Sequence, residues 1–216
     1  MAGKRAANTV ASINPHSEGT KMVKLILQMQ VSADGFVGSM EANAWTLWDW
    51  GRNNHWDEQL KADFNAHFDR IDTILLSRKM AEEGYLPHWG DAAKRHPADP
   101  FYAFAKRVME MRKVILTDKL GASSWERTQV RSGDLAREVG LLKAQQERDI
   151  GVFGGAGFAS ALIQAGLVDE FQFYVNPAVL GDGVRLFETS GFLQLRLLQA
   201  KAYQSGMVVS RYAPAA

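Results

Sequence analysis

The chain contains no cysteine in its 216 residues. Disulfide bonds, a thiol nucleophile and a thiolate-held metal are thereby excluded. It also has almost no net charge: 25 Lys and Arg stand against 24 Asp and Glu, a formal charge of +1. Such a balance creates no long-range field to draw in a polyanion, which argues against a nucleic-acid partner. Long apolar runs are scarce. The one uncharged stretch approaching a membrane span, GVFGGAGFASALIQAGLV at 151–168, is broken by five glycines and by Ser160 and Gln164. It reads as strand, turn and helix, not as a span. Residues 1–21 lack the apolar core of a signal peptide, so they are expected to form a disordered tail ahead of one domain over 22–216, in the cytoplasm. Common catalytic patterns are missing as well: there is no G-x-S-x-G, no phosphate loop ending in Gly-Lys-Ser/Thr and no H-E-x-x-H. The five histidines (His16, His55, His67, His88, His96) never fall at metal-ligand spacing, and no metal is expected.

What is present is an alternation of strand-like and helix-like segments. Val23–Val31 reads as a buried first strand ending in the turn Ser32-Ala33-Asp34-Gly35. Residues 39–56 form a loop holding Trp45, Trp48, Trp50 and Trp56. Leu60, Phe64, His67 and Ile71 then recur on one helical stripe, with His67 expected as a core histidine. Thr73–Leu76 is a strand, 85–100 reads as a loop, and Phe101–Met111 as a helix. Strands are expected at Lys113–Thr117, Ile150–Phe153, Phe171–Val175, Leu193–Ala202 and Met207–Tyr212, with helices at Gly133–Gln146 and Gly157–Ala165. The pattern is that of one α/β domain with helices crossing between mostly parallel strands.

Two places carry chemistry. Asp149 to Phe158, DIGVFGGAGF, is a strand that breaks into Gly154-Gly155 and reopens as a helix. Backbone without side chains approaches a pyrophosphate closely, and a helix N-terminus favours its charge. A tight strand-to-helix turn with no ligand is the alternative. The second place is Ser77-Arg78-Lys79, a hydroxyl and two cations at a helix start, suited to a phosphate; a solvated helix start is the alternative there. Both follow the C-terminal end of a strand, the edge along which open α/β sheets bind ligands.

The segments LILQMQVSADGFVG at 25–38, ILLSRK at 74–79, VFGGAGFASALIQAGLVDE at 152–170 and NPAVLGDGVRLF at 176–187 resemble, in order and spacing, the dihydrofolate-reductase-like superfamily. The closer likeness is to the branch related to the reductase domain of bacterial riboflavin biosynthesis. That resemblance implies a three-layer α/β sandwich, with helices on both faces of a mostly parallel central sheet and an antiparallel C-terminal edge. It also implies an NADPH cleft. Phe153, Gly154 and Gly155 match the turn around the cofactor pyrophosphate, with a cis Gly154–Gly155 bond, and Ala156, Gly157 and Phe158 supply the next backbone donors. Ser77, Arg78 and Lys79 match the phosphate-holding segment, and Thr117 and Lys119 the surroundings of the adenosine 2′-phosphate. Val37 and Gly38 match the loop over the nicotinamide. Gln28 and Gln30 match positions flanking that ring from the first strand and, with Tyr174 and Trp45, are the expected substrate contacts; for Trp45 and its loop, stacking on a planar substrate and a hydrophobic lid or subunit contact are equal alternatives.

Three departures shape the expected function. Asp118 disfavours a 2′-phosphate unless it points away, leaving NADH as an alternative cofactor. The carboxylate that holds a pterin falls at Leu60, so Asp57 becomes the substitute catalytic acid; its other reading is a charge at a helix start. The zinc deaminase often fused to riboflavin reductases has no place in this chain. The expectation is an NAD(P)H-dependent reductase of a small, pterin- or riboflavin-precursor-like substrate, acting as a homodimer. A non-catalytic nucleotide-binding module on the same fold is the alternative.

Overall fold

The structure, a computed structural model, describes residues 22–40, 56–187 and 191–215. In chain order its elements are β1 (Leu25–Val31), β2 (Phe36–Gly38), α1 (Glu58–His67), β3 (Ile71–Leu76), α2 (Arg78–Glu83) and α3 (Tyr85–Arg95). A 3-10 turn (Pro100–Tyr102) leads to α4 (Ala103–Glu110), β4 (Arg112–Leu116), β5 (Thr128–Arg131), α5 (Leu135–Gln145), β6 (Asp149–Val152) and α6 (Ala156–Gln164). The chain closes with β7 (Glu170–Val175), β8 (Val184–Arg185), β9 (Leu195–Ala202) and β10 (Val208–Pro214).

Eight strands form one sheet in the order β5-β4-β3-β6-β1-β7-β10-β9, and β2 pairs with β8 beside it. The six strands from β5 to β7 run parallel, while β10 and β9 are antiparallel additions at the edge. Every residue of β1 is buried, as a central parallel strand covered on both faces requires. On one face, α1, α3 and α4 bury Leu60, Phe64, Trp89, Phe104 and Val108 with Phe153 and Ile74. On the other, α5 and α6 bury Val139, Leu142 and Leu162 against Leu25, Leu27 and Val114. This is the three-layer α/β sandwich, and each fully buried Leu or Phe contributes about 2 kcal/mol to it.

Two expectations from the sequence are corrected. The segment 85–100 is not a loop but largely the helix α3, which buries Tyr85, Leu86, Trp89 and Ala92. Its proline, Pro87, sits in the first turn, where no intrahelical N–H partner is needed. The strand β5 went unread because none of its four residues is fully buried; an edge strand of TQVR carries no apolar signature. By contrast, Gly166 ends α6 at φ +65°, with its N–H on the Ile163 carbonyl and the Leu167 N–H on that of Leu162. That is the glycine-terminated helix the sequence suggests.

At the N-terminal ends of β1, β6 and β7 the chain is closed by acids. Asp149 Oδ1 accepts the Lys24 N–H at 3.1 Å, and Asp169 Oδ2 accepts that of Leu25 at 2.7 Å. Glu170, whose side chain is fully buried, takes Arg70 through both oxygens at 2.7 and 2.9 Å and Arg211 at 2.8 Å. Burial pushes the Glu170 carboxyl up, but the two guanidiniums more than offset this and hold it at about 2. His67 lies beside this network and is buried, as expected, although its Nε2 has no partner among the described residues. Burial, with Arg70 and Arg211 adding to it, drives its pKa down to about 3, so the imidazole is neutral.

Candidate functional site

The opposite, C-terminal edge of the sheet is where the expected phosphate-binding segments lie. β6 runs into Phe153, whose side chain is core, stacked on Phe68 at 5.3 Å and on Tyr85 at 5.5 Å between ring centroids. The backbone then reverses through Gly154 (φ +129°) and Gly155 (φ +75°). The expected cis bond is not formed: every peptide bond in the described residues is trans. Positive φ at two successive glycines accomplishes the reversal instead, a conformation residues with a Cβ rarely adopt.

Gly155 is the N-cap of α6, and no side chain caps that helix. The first-turn N–H groups of Ala156, Gly157 and Phe158 are therefore left to an external acceptor. A Cβ placed on Gly155 would lie 3.2 Å from Ser77 Oγ and 3.2 Å from Met80 Cγ, whereas one on Gly157 would meet only open space. The two segments singled out from the sequence, far apart in the chain but both at strand C-termini, thus meet at Gly155 and Ser77. Ser77 itself caps α2, its Oγ accepting the Met80 N–H at 3.2 Å.

The cations beside this turn differ in availability. Arg78 Nη1 is committed to Glu82 at 2.9 Å and Glu83 at 3.0 Å. Lys79 is exposed and has no ion-pair or hydrogen-bond partner among the described residues. At the end of β4, Thr117 Oγ1 accepts the Lys119 N–H at 3.2 Å, leaving the exposed Lys119 side chain free of partners among the described residues. Asp118 turns to the β5–α5 connection, where its Oδ1 accepts the Gly133 N–H at 3.2 Å.

Val37 is buried and Gly38 half-buried in the β2–β8 pair. That pair is tied down by a clamp the sequence reading missed. Asp34 accepts the Ser32 hydroxyl at 2.6 Å and the N–H groups of Leu180 and Gly181 at 3.2 and 2.8 Å. The Ser32 hydroxyl, joined by these two N–H groups, holds its carboxyl down at about 2. The only sequence signal was an Asp in a Ser-Ala-Asp-Gly turn, which does not name a partner 146 residues away.

On the substrate side, Gln30 Oε1 accepts from Asn176 Nδ2 at 3.3 Å, while Gln28 Oε1 is buried without a partner among the described residues. Tyr174 is buried and stacked on Trp56 at 5.5 Å, with its hydroxyl accepting from Gln172 Nε2 at 3.2 Å. It lines a 270 Å³ pocket between α1 and the β7–β10–β9 strands, shared with His67, Arg70 and Lys201. Trp45, Trp48 and Trp50 lie outside the described residues. Asp57 is the N-cap of α1: Oδ1 accepts the Leu60 N–H at 2.9 Å and Oδ2 the Ser205 N–H at 3.0 Å. The Leu60 N–H, seconded by that of Ser205, holds this carboxyl below the usual range. Ser205, in the β9–β10 turn, was not singled out from the sequence. Leu60 is fully buried in the core. Among the described residues there is no cluster of three His, Asp or Glu fit for a metal, and no helix long and apolar enough to cross a membrane.

The family model of the RibD C-terminal domain matches residues 23–209. An uncharacterized protein of Bacillus subtilis (strain 168), YyaP, is 27% identical over 191 residues, spanning 87% of this chain and 93% of that protein. A putative riboflavin biosynthesis protein from Shewanella sp. PV-4 superposes with a TM-score of 0.64 at 18% identity, covering 90% of this chain and all 100% of that one. A dihydrofolate reductase from Enterococcus faecalis, complexed with NADP(H), gives a TM-score of 0.53 at 12% identity over 89% of this chain and 97% of its own. These two structures share the fold.

Proposed function

The chain belongs to the RibD C-terminal domain family, and from that premise we propose that it is an NADPH-dependent reductase of a small heteroaromatic, pterin- or riboflavin-precursor-like, substrate. One observation carries the reading: an uncapped helix N-terminus opens from a two-glycine turn where a Cβ on Gly155 would crowd Ser77 at 3.2 Å. Such a cradle fits a pyrophosphate, with Lys79 and Lys119 as the free cations for its charge and for a 2′-phosphate. The chemistry that a bound NADPH would supply there is hydride transfer from its nicotinamide ring. The Asp34 clamp fixes the turn that presents Val37 and Gly38 to that ring and limits access of water.

Asp118 does not block the 2′-phosphate in this reading, because its carboxylate is turned to the Gly133 N–H. Asp57 stays ionised and orients a substrate N–H, so the proton for the product comes from a held water. Two chains associate through the outer strands, where Leu197, Leu198 and Val208 are exposed; a monomer in light scattering would remove that element of the proposal.

The test is titration of the purified protein with NADPH and NADH, followed by a stopped-flow screen of pterins, flavin precursors and quinones for cofactor oxidation. Micromolar binding with NADPH preferred, and turnover of one substrate class, is the expected result. The second reading, a nucleotide-binding module without catalysis, is favoured at one point only, the apolar Leu60 where a pterin carboxylate is needed. It predicts binding of the cofactor with no turnover of any acceptor.

A further inference from the structure

At the N-terminal ends of β3 and β4, away from the glycine turn, a pocket of 460 Å³ lies between the β4–β5 strands and the C-terminal end of α5. Its lining includes Arg112, Lys113, Arg127 and Arg131, and not one Asp or Glu. Arg131 is half-buried and Arg112 and Arg127 are exposed, and none of the three has a carboxylate partner among the described residues, unlike the half-buried arginines elsewhere. Arg70, Arg78, Arg107 and Arg211 each lie within 3 Å of a carboxylate oxygen.

Here the guanidiniums are oriented by neutral acceptors. Arg112 Nη1 donates to Gln146 Oε1 at 3.3 Å. Arg131 donates to Gln129 Oε1 at 3.1 Å and Gln145 Oε1 at 2.6 Å. Arg127 donates to the Glu110 carbonyl at 2.8 Å. It is also the only residue other than glycine with positive φ among the described residues, at 53°. Backbone strain of this kind persists where the surrounding structure fixes it, and it concentrates at ligand sites. Lys113 is buried with its ammonium on the carbonyls of Val108, Met109 and Met111, again without a carboxylate. Burial, seconded by the charge of Arg127, pulls its pKa down to about 8, and Glu126 offsets this only in part. Amide partners fix the geometry of these cations while leaving their charge uncompensated, the arrangement that a multiply charged oxyanion completes.

We propose that this pocket binds a phosphorylated small molecule, held by Arg112 and Arg131 with Arg127 and Lys113 supplying further charge and Trp125 forming an aromatic wall. The site shares no residue with the cofactor edge, so it stands or falls independently of the reductase reading.

The experiment is calorimetric titration of the full chain with inorganic pyrophosphate, in wild type and three variants. Arg112→Gln/Arg131→Gln removes the charge. Gln145→Glu/Gln146→Glu keeps both guanidiniums but neutralises them within the pocket, and the new ion pairs support folding. Lys79→Gln removes the free cation at the glycine turn. The proposal expects pyrophosphate binding to persist in Lys79→Gln and to weaken about ten-fold or more in both pocket variants. NADPH affinity is unchanged in the pocket variants. Absence of pyrophosphate binding in the wild type and in Lys79→Gln overturns the proposal. So does binding that survives in the Gln145→Glu/Gln146→Glu variant.

Discussion

The two ends of β1, β6 and β7 are finished with opposite chemistry. At their N-terminal ends, Asp149 and Asp169 accept the N–H groups of Lys24 and Leu25, and Glu170 is locked between Arg70 and Arg211. At their C-terminal ends, β6 opens into two glycines and a helix whose first turn no side chain caps. The closed end satisfies every strong charge internally and so contributes stability. The open end leaves the first-turn donors of α6 and the exposed Lys79 ammonium without partners among the described residues, free for an anionic ligand in place of water. The difference teaches where to look for a cofactor on these three strands: at the end that is not closed.

The largest effect is expected from breaking the closed end. Glu170→Gln removes the counter-charge of two guanidiniums and should cost about 3 kcal/mol in urea unfolding, the low end for a broken buried pair because Arg70 and Arg211 retain partial exposure. Cofactor affinity of the folded protein should be unaffected.

The pH dependence of stability probes the same end. The His67 pKa falls from 6.5 unfolded to about 3 folded, so the unfolded chain binds the extra proton. Stability is therefore complete above pH 6.5 and is lost as the pH falls toward 3, by up to about 1.4 kcal/mol per unit. Glu170, depressed from 4.5 to about 2, adds its own loss only below pH 4.5. His67→Leu should flatten the slope between pH 6.5 and 4.5 in denaturant titrations. An unchanged slope would show that His67 does not carry it.

Changes at the open end should act on binding more than on folding. Gly155→Ala puts a Cβ 3.2 Å from Ser77 Oγ at a φ of +75°, and should weaken NADPH about ten-fold while lowering stability by about 1 kcal/mol. The smallest effect sharpens the contrast between paired and free cations. Lys79→Gln should weaken NADPH by about three-fold and Arg78→Gln by less, because Arg78 is already held by Glu82 and Glu83. Glu82→Gln/Glu83→Gln, which frees Arg78, should tighten NADPH.

Much of the open end was legible because its signals are local. Ser77 at a helix start and the Gly154-Gly155 break each depend on neighbours within a few residues, as does the end of α6 at Gly166 on the far side of the sheet. The stripe of Leu60, Phe64 and His67 likewise placed α1 on the sheet. The closed end was not legible, since Lys24 and Asp149 are 125 residues apart and Leu25 and Asp169 are 144 apart. No spacing rule links such pairs before the strands are ordered. Asp57 illustrates the limit from the other side: its position at a helix start was readable, but its second bond to Ser205 depends on the β9–β10 turn folding back. Arg78 was read for its charge alone, although Glu82 at the i+4 position already offered a partner. The helix α3 was hidden because no side-chain cap marks its start and Pro87, in its first turn, reads as a break.

The most direct test of the open end is calorimetric titration of NADPH into the wild type and the Gly155→Ala variant, side by side. The account predicts one micromolar site per chain in the wild type, weakened about ten-fold in the variant while the fold is retained. Equal affinity in the two proteins, or no binding to the wild type below millimolar concentration, would contradict it.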